Sequence, residues 1–399
     1  MKKPIRILYD GMSIRENPAG VGYVALNLIK NLSSYSGLEF IVYTRKGVKK
    51  MPLFKNQYNI TVHETEYPFS YFGISRHFFE QFELPKLIIR YKPKILHLTN
   101  SFGMPFFTNK SQLDIKVVLT IHDLIPLTSY CELMSSFERI LYKLSIKNSI
   151  KKADVIATIS KYSARDLVKY FPTVNKNIVN VIPNGIESIN IPTNLEKTWS
   201  NIINKYQINN DIIFYLGGFA PRKNVPRLLK AYHLLIKSKK INYQLVLSGR
   251  FSQNKDIANN INQIKQYISQ NNLEKQVRII DYLNYNEKIV FLAKAKFFVY
   301  PSLYEGFGLP ILEALSLGTP VLTSKNSAME ELAEKYVLYA NPQDVNNIAN
   351  KMIELIKNYT RSKQTAELAK IKLIPKFNWQ NSAKMYYNLY KDLWSQKSQ

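Results

Sequence analysis

Short apolar runs of strand length, each followed by a longer amphipathic stretch, recur along this chain and then start afresh past its midpoint. That alternation constrains the fold more than any other feature. A fully buried strand followed by a helix-length amphipathic segment is the unit of a parallel sheet covered by helices. In the first half, residues 5–9, 39–43, 95–98, 117–120, 155–158 and 179–182 read as strands, and 21–32, 76–91, 137–151 and 161–170 as helices. The second half repeats the pattern, with strands at 212–216, 244–248, 277–280, 297–300 and 320–323 and helices at 226–238, 256–270, 286–293, 310–317 and 344–359. Between the halves, Pro183-Asn184-Gly185 and a polar stretch through Asn210 carry no clear strand and read as a hinge. The expected fold is α/β: two Rossmann-like, doubly wound domains (1–190 and 191–376) facing across a cleft, with ligands at the carboxyl ends of the strands. In the closing segment 377–399, Met385, Tyr386, Leu389 and Leu393 mark one amphipathic helix over 379–394.

Composition narrows the function classes. With 399 residues, 46% hydrophobic and 21% charged, the chain is globular and too long for one ordinary core. A lone cysteine, Cys131, precludes an internal disulfide and suits a reducing, cytoplasmic compartment. The basic start Met1-Lys2-Lys3 is followed by an apolar run too short for a signal peptide. Nothing approaches the roughly 18 apolar residues of a spanning helix, so a soluble or peripheral protein is expected. The net charge of +26, from 55 basic and 29 acidic residues, attracts polyanions such as nucleotide phosphates, nucleic acid or an anionic membrane. An AT-rich genome is the alternative source of the abundant Lys, Asn, Ile and Tyr.

Four constellations carry chemistry. A buried strand runs through Pro301-Ser302 into Tyr304-Glu305-Gly306-Phe307-Gly308-Leu309-Pro310 and a helix. Its glycines let backbone approach a ligand, Pro310 suits a first helical turn, and the free N–H groups there favour an anion. Glu305 and Glu313, eight positions apart, can face one ligand, and a carboxylate accepts two hydroxyls well. In Phe214 to Asn224, a strand and glycine turn (Gly217-Gly218) lead to Arg222-Lys223 at a helix start. Two cations there oppose the dipole unless an anion joins them. Gly20-Val21-Gly22 opens a helix after the first strand, and His122-Asp123 ends a buried strand.

The string from Pro301 to Val321 resembles the signature of glycosyltransferase family 4, a retaining family with the GT-B fold, and the resemblance extends over nearly the whole chain. It implies that Glu305 contacts donor-sugar hydroxyls, that Glu313 holds the nucleotide's ribose, and that amides of Phe307, Gly308 and Leu309, beside Gly306, bind sugar hydroxyls and the distal phosphate. Arg222 and Lys223 would hold the donor diphosphate, with the Gly20-Val21-Gly22 loop over the phosphates. His122 would approach the sugar's hydroxymethyl group and the reaction centre, while Asp123 orients its loop. Tyr282 and Leu283 are candidates for framing the base. The closing helix would pack back on the N-terminal domain. Gly217-Gly218 departs from the Gly-Arg pair of many members, and Arg222 is the cation placed to compensate. The segments 157–163 and 181–186 fit the same family, and 76–85 resembles bacterial mannosyl- and rhamnosyltransferases of surface-polysaccharide pathways.

No Asp-x-Asp motif in a suitable place and no Cys/His cluster occur among the five histidines, so no metal cofactor is expected. The donor expected is GDP-mannose, with a UDP-hexose as the alternative. The acceptor is a glycan or lipid-linked sugar, with a protein or small molecule as alternatives. Lys and Arg interleaved with aromatics at 71–94 and 142–161 suit amphipathic helices on the inner face of an anionic membrane. The cleft motifs argue against a nucleic-acid-binding protein, and intact Glu305, Glu313, Arg222 and Lys223 against a catalytically silent partner subunit.

Overall fold

The computed structural model describes residues 3–395 apart from 17, 19, 56, 67–73, 109, 132–133, 239–240, 252–253 and 326. Ala19 of the first glycine turn and Tyr71, the start of the basic stretch, lie outside the described residues. The chain forms two compact units, one of residues 1–128, 134–185 and 377–399, the other of 129–133 and 186–376.

The first unit holds strands β1 (Ile5–Asp10), β2 (Leu38–Arg45), β3 (Ile60–Thr65), β4 (Ile95–Leu98), β5 (Lys116–Ile121), β6 (Val155–Thr158) and β7 (Val179–Val181). They pair in the order β3-β2-β1-β4-β5-β6-β7, all parallel. The order reverses between β1 and β4. Successive residues of a strand point to opposite faces. Ile5, Ile7 and Tyr9 accordingly join one core cluster and Leu8 the other.

The second unit holds β8 (Ile212–Leu216), β9 (Gln244–Ser248), β10 (Val277–Ile280), β11 (Phe297–Tyr300), β12 (Val321–Ser324) and β13 (Leu338–Ala340). Their order β10-β9-β8-β11-β12-β13 repeats the winding, with its reversal between β8 and β11. In such sheets the two connections at the reversal leave in opposite directions and open a crevice at the carboxyl ends.

Several expectations are corrected. Strands β3 and β13 were not anticipated. Both lie at sheet edges and are only partly buried, so their apolar signal is weak. The expected hinge 183–210 contains the helix Leu195–Tyr206. The helix Tyr359–Lys372 escapes a periodicity test because it buries only Ala366 and Ala369.

The expected single helix over 76–91 is three pieces: Ile74–Phe78, a π-turn Phe79–Glu83, and Leu84–Tyr91. Pro85 has no N–H to give the preceding turn, and the chain widens there. Arg76 fastens this segment to the sheet. Its buried guanidinium donates to Glu80 Oε1 at 2.7 Å and Asp10 Oδ2 at 3.3 Å, and it lies 4.5 Å over the Phe102 ring.

The closing helix, Trp379–Ser395, belongs to the first unit. Ala383, Tyr386, Leu389, Tyr390 and Leu393 enter the same core cluster as Ile7 and Tyr9. Each large side chain buried this way contributes roughly 1.5–3 kcal/mol. The crossing is close: a Cβ on Gly185 would come 2.2 Å from the backbone N of Trp379.

Candidate active site

At the β8/β11 reversal two loops are stitched together by one backbone hydrogen bond and by the side-chain amide of Asn224. Arg222 C=O accepts from Leu303 N–H at 2.8 Å, and the Asn224 amide donates to Pro301 C=O at 2.9 Å and Pro342 C=O at 2.6 Å. Asn224 takes φ 64°, a left-handed conformation that asparagine tolerates better than most residues. It ends a short 3₁₀ turn, Pro221–Lys223, and opens the helix Val225–Lys237. The two cations therefore stand in the turn before the helix, not in its first turn.

The anion that joins them comes from the chain itself. Lys223 Nζ lies 2.6 Å and Arg222 Nη1 3.0 Å from Oε1 of Glu305. Ser302 Oγ at 2.7 Å and Tyr300 OH at 3.0 Å donate to the same oxygen. All four donors crowd one oxygen, and no bond to Oε2 is formed among the described residues. Oε2 retains its lone pairs for a hydroxyl donor. Burial alone would raise the Glu305 carboxyl, but Arg222 and Lys223 hold it down at about 2, so it is a carboxylate at any physiological pH.

Glycines shape the rest of this rim. Gly308 sits at φ 125° ahead of the helix Leu309–Ser316, whose start has no side-chain cap. Pro310 in its first turn has no N–H to satisfy, and the Ile311 N–H turns back to Gly308 C=O at 3.0 Å. Gly218 takes φ 74°, with nothing within 4 Å of where a Cβ would stand. Its carbonyl accepts from Tyr215 OH at 2.7 Å. A Cβ on Gly249 would meet the Gly218 backbone at 2.3 Å, so the β8 and β9 loops touch main chain to main chain.

Glu313, on the helix Leu309–Ser316, pairs with Lys288 at 2.8 Å rather than with the Arg222–Lys223 pair. Tyr282 is half-exposed, with the Arg250 guanidinium 5.1 Å above its ring, whereas Leu283 is buried. Ser302, Tyr300, Tyr215 and Lys288 received no role from sequence. Ser302 stood in the signature string, and its spacing of three from Glu305 was the available signal.

In the first unit, Gly20 takes φ 54° immediately before the helix Val21–Leu32, which also begins without a side-chain cap. A Cβ on Gly22 would stand 2.2 Å from Ser13 C=O, so only glycine fits. His122 directly follows β5 in a buried position, its Nε2 2.7 Å from Thr99 C=O. A carbonyl only accepts, so Nε2 carries the proton, and Nδ1 of the neutral ring is an acceptor. Burial pushes this imidazole down to about 4. Asp123 Oδ1 accepts from Ile125 N–H at 3.1 Å, closing the turn that follows His122.

Among the described residues no group of three or more His, Cys, Asp or Glu is disposed to hold a metal ion.

Two parallel, doubly wound units with a cation pair and a carboxylate at the second reversal define a glycosyltransferase of GT-B fold. Family models support this over both halves, "Glycosyltransferase Family 4" over residues 18–188 and "Glycosyl transferases group 1" over 199–372. The chain is 31% identical over 305 residues to O-antigen chain mannosyltransferase B of Escherichia coli, covering 75% of each chain. It belongs to glycosyltransferase family 4. It is also 27% identical over 263 residues to O-antigen chain mannosyltransferase RfbU of Salmonella typhimurium, covering 65% of this chain and 64% of that one.

Solved structures of the same fold include sucrose-phosphate synthase of Thermosynechococcus elongatus, with TM-score 0.77, 19% identity and coverage of 98% and 99%. Another is Anabaena HepE in complex with UDP and glucose, with TM-score 0.73, 15% identity and coverage of 97% and 100%.

Proposed function

We propose that this enzyme transfers mannose, with retention of anomeric configuration and without a metal, from GDP-mannose to a glycan or lipid-linked acceptor during cell-surface polysaccharide assembly. The observation that carries the donor site is the convergence of Arg222, Lys223 and Glu305 at the β8/β11 reversal. Mannose is favoured by the likeness to the O-antigen mannosyltransferases, and UDP-hexoses are the alternative donors.

The departing nucleoside diphosphate develops negative charge, and preorganised donors aimed at it are the largest available source of rate. Arg222, Lys223 and the uncapped start of the helix Leu309–Ser316 supply them. With Oε1 of Glu305 fixed by four donors, Oε2 accepts hydroxyls of the sugar, and Glu313 accepts those of the ribose. The leaving phosphate oxygen takes the acceptor's proton in same-face attack, so no separate general base is required. From the first unit, the family resemblance assigns His122 and the Gly20-Val21-Gly22 turn to the donor. The protein works at the cytoplasmic face, peripheral to the membrane.

A thermal-shift series with UDP, GDP, ADP and dTDP, followed by turnover assays with GDP-mannose and UDP-glucose, tests the donor assignment. A ligand at 100 times its Kd adds about 2.7 kcal/mol of stability. Stabilisation by GDP and turnover of GDP-mannose are expected. If no nucleoside diphosphate stabilises the protein and no sugar nucleotide is turned over, the assignment fails.

A further inference from the structure

We propose that the first unit docks on anionic bilayers through one face, built from the outer sides of the helix Ser136–Lys152 and the segment 74–91, with the loop around Phe107. This names the surface behind the peripheral placement proposed above and is independent of the donor site. No helix of the described residues is long and apolar enough to cross a membrane.

The exposed side of the helix Ser136–Lys152 is not that of an ordinary solvated helix. Phe137, Ile140 and Leu144 are 68%, 60% and 52% exposed, and their spacing of three and four places them in one stripe. The same side continues as Lys143, Lys147 and Lys151, all exposed. Its one acid, Glu138, is engaged in a capping box with Ser135. The buried side (Tyr142, Ile146 and Ile150) already supplies the packing that holds the helix, so the outer stripe is surplus to the fold.

The stripe has neighbours of the same character. Lys152 Nζ reaches the carbonyls of Phe106 and Thr108 at 3.1 Å each, which brings the loop carrying Phe107, 94% exposed, against this helix. The Phe106 N–H donates to Gln81 Oε1 at 2.7 Å and so ties the loop to the π-turn. Beside it the exposed rings of Phe78 and Phe82 stack at 5.7 Å. On the segment's outer side Ile89 and Arg90 follow, both exposed.

Aromatic and branched apolar side chains interleaved with lysines on exposed helix faces match the boundary of an anionic bilayer, where rings enter the acyl edge and ammonium groups meet phosphates. Nucleic acid offers the lysines the same charge but gives the apolar stripe nothing to enter. A second copy of this basic face would repel it. Lipid satisfies both halves of the pattern.

Co-sedimentation with phosphatidylcholine vesicles, with and without phosphatidylglycerol, tests the surface. Wild-type protein should sediment only with the anionic vesicles, and less as salt rises. F137S/I140S/L144S and K143Q/K147Q/K151Q should each lower partitioning on the order of tenfold, the lysine variant also flattening the salt dependence. Neither should change release of nucleoside diphosphate from a soluble donor. Phe107→Ser, on an exposed loop, gives a second apolar variant if the triple one does not fold.

The proposal is overturned if wild-type protein ignores anionic vesicles or if all these variants bind like wild type. It is equally overturned if the apolar variant abolishes self-association on gel filtration, or the lysine variant abolishes RNA binding, while vesicle binding persists. Loss of donor turnover in wild type would sink the donor assignment and leave this one standing.

Discussion

Lys223 Nζ lies 2.6 Å from Oε1 of Glu305, although the two residues stand 82 positions apart in the chain. The contact resolves a local conflict in the sequence, where two adjacent cations stand before a helix whose N-terminus repels them. Glu305 also leaves the pair, taken with its two cations, one positive charge in excess before a diphosphate arrives. The carboxylate is thus both a brace for the cations and, through Oε2, a free acceptor.

Lys223→Ala is expected to lower kcat/KM ten- to a hundredfold. A charge-assisted hydrogen bond contributes roughly 1.5–3 kcal/mol, and each 1.36 kcal/mol is about a factor of ten in rate. Arg222→Ala should fall in the same range. Steady-state release of nucleoside diphosphate measures both, and unchanged turnover in the two variants would remove the phosphate role from this pair.

Acid should erode stability through Glu305. Its carboxyl is held down at about 2 against an ordinary 4.5, so the folded state binds the proton less readily than the unfolded chain. The resulting stability, about 3 kcal/mol, is fully present above pH 4.5 and is lost as pH falls through 2. Denaturant titrations of wild type and Glu305→Gln at pH 6, 4 and 3 should show the gap between them closing. A gap independent of pH contradicts the assignment.

Restoring the family's common Gly-Arg pair should not help this chain. Gly218→Arg has room for the side chain, but φ 74° costs a residue with a Cβ about 1–2 kcal/mol. Differential scanning calorimetry should register a Tm lowered by several degrees. A Tm equal to wild type would show that this loop relaxes freely.

The closing helix is fixed by a chain of buried polar contacts. The Tyr390 hydroxyl lies 2.6 Å from His97 Nδ1, His97 Nε2 lies 2.8 Å from Thr120 Oγ1, and that oxygen lies 2.9 Å from Tyr386 OH. Tyr390→Phe leaves a fully buried imidazole nitrogen without its partner, at a cost of about 1–3 kcal/mol. The change should appear as a lower urea midpoint with an unaltered slope. An unchanged midpoint would mean that apolar packing alone holds the helix.

Much of this was legible in the residues. The long buried strands, both glycine turns and the Glu305–Glu313 spacing each follow from local pattern, because apolar runs and φ-permissive residues report their own neighbourhood. The edge strands β3 and β13 were not legible, since partly buried edge strands lack the continuous apolar run of the inner ones. Neither was the π-turn at Phe79–Glu83, where a wide turn keeps a helix-like pattern. The partners of each site residue were hidden as well: sequence set Arg222 and Lys223 against a phosphate and Glu305 against a sugar, whereas the fold joins all three.

The sequence by itself determined two doubly wound α/β units, the family, and which residue types stand at the second reversal. Those properties are written in short-range periodicity and in a contiguous motif. Only the tertiary structure decided that Ser302, Tyr300, Arg222 and Lys223 share one oxygen of Glu305, and that Lys288 claims Glu313. Such pairings are set by which loops a parallel sheet brings to one edge, and no stretch of neighbouring residues carries that information.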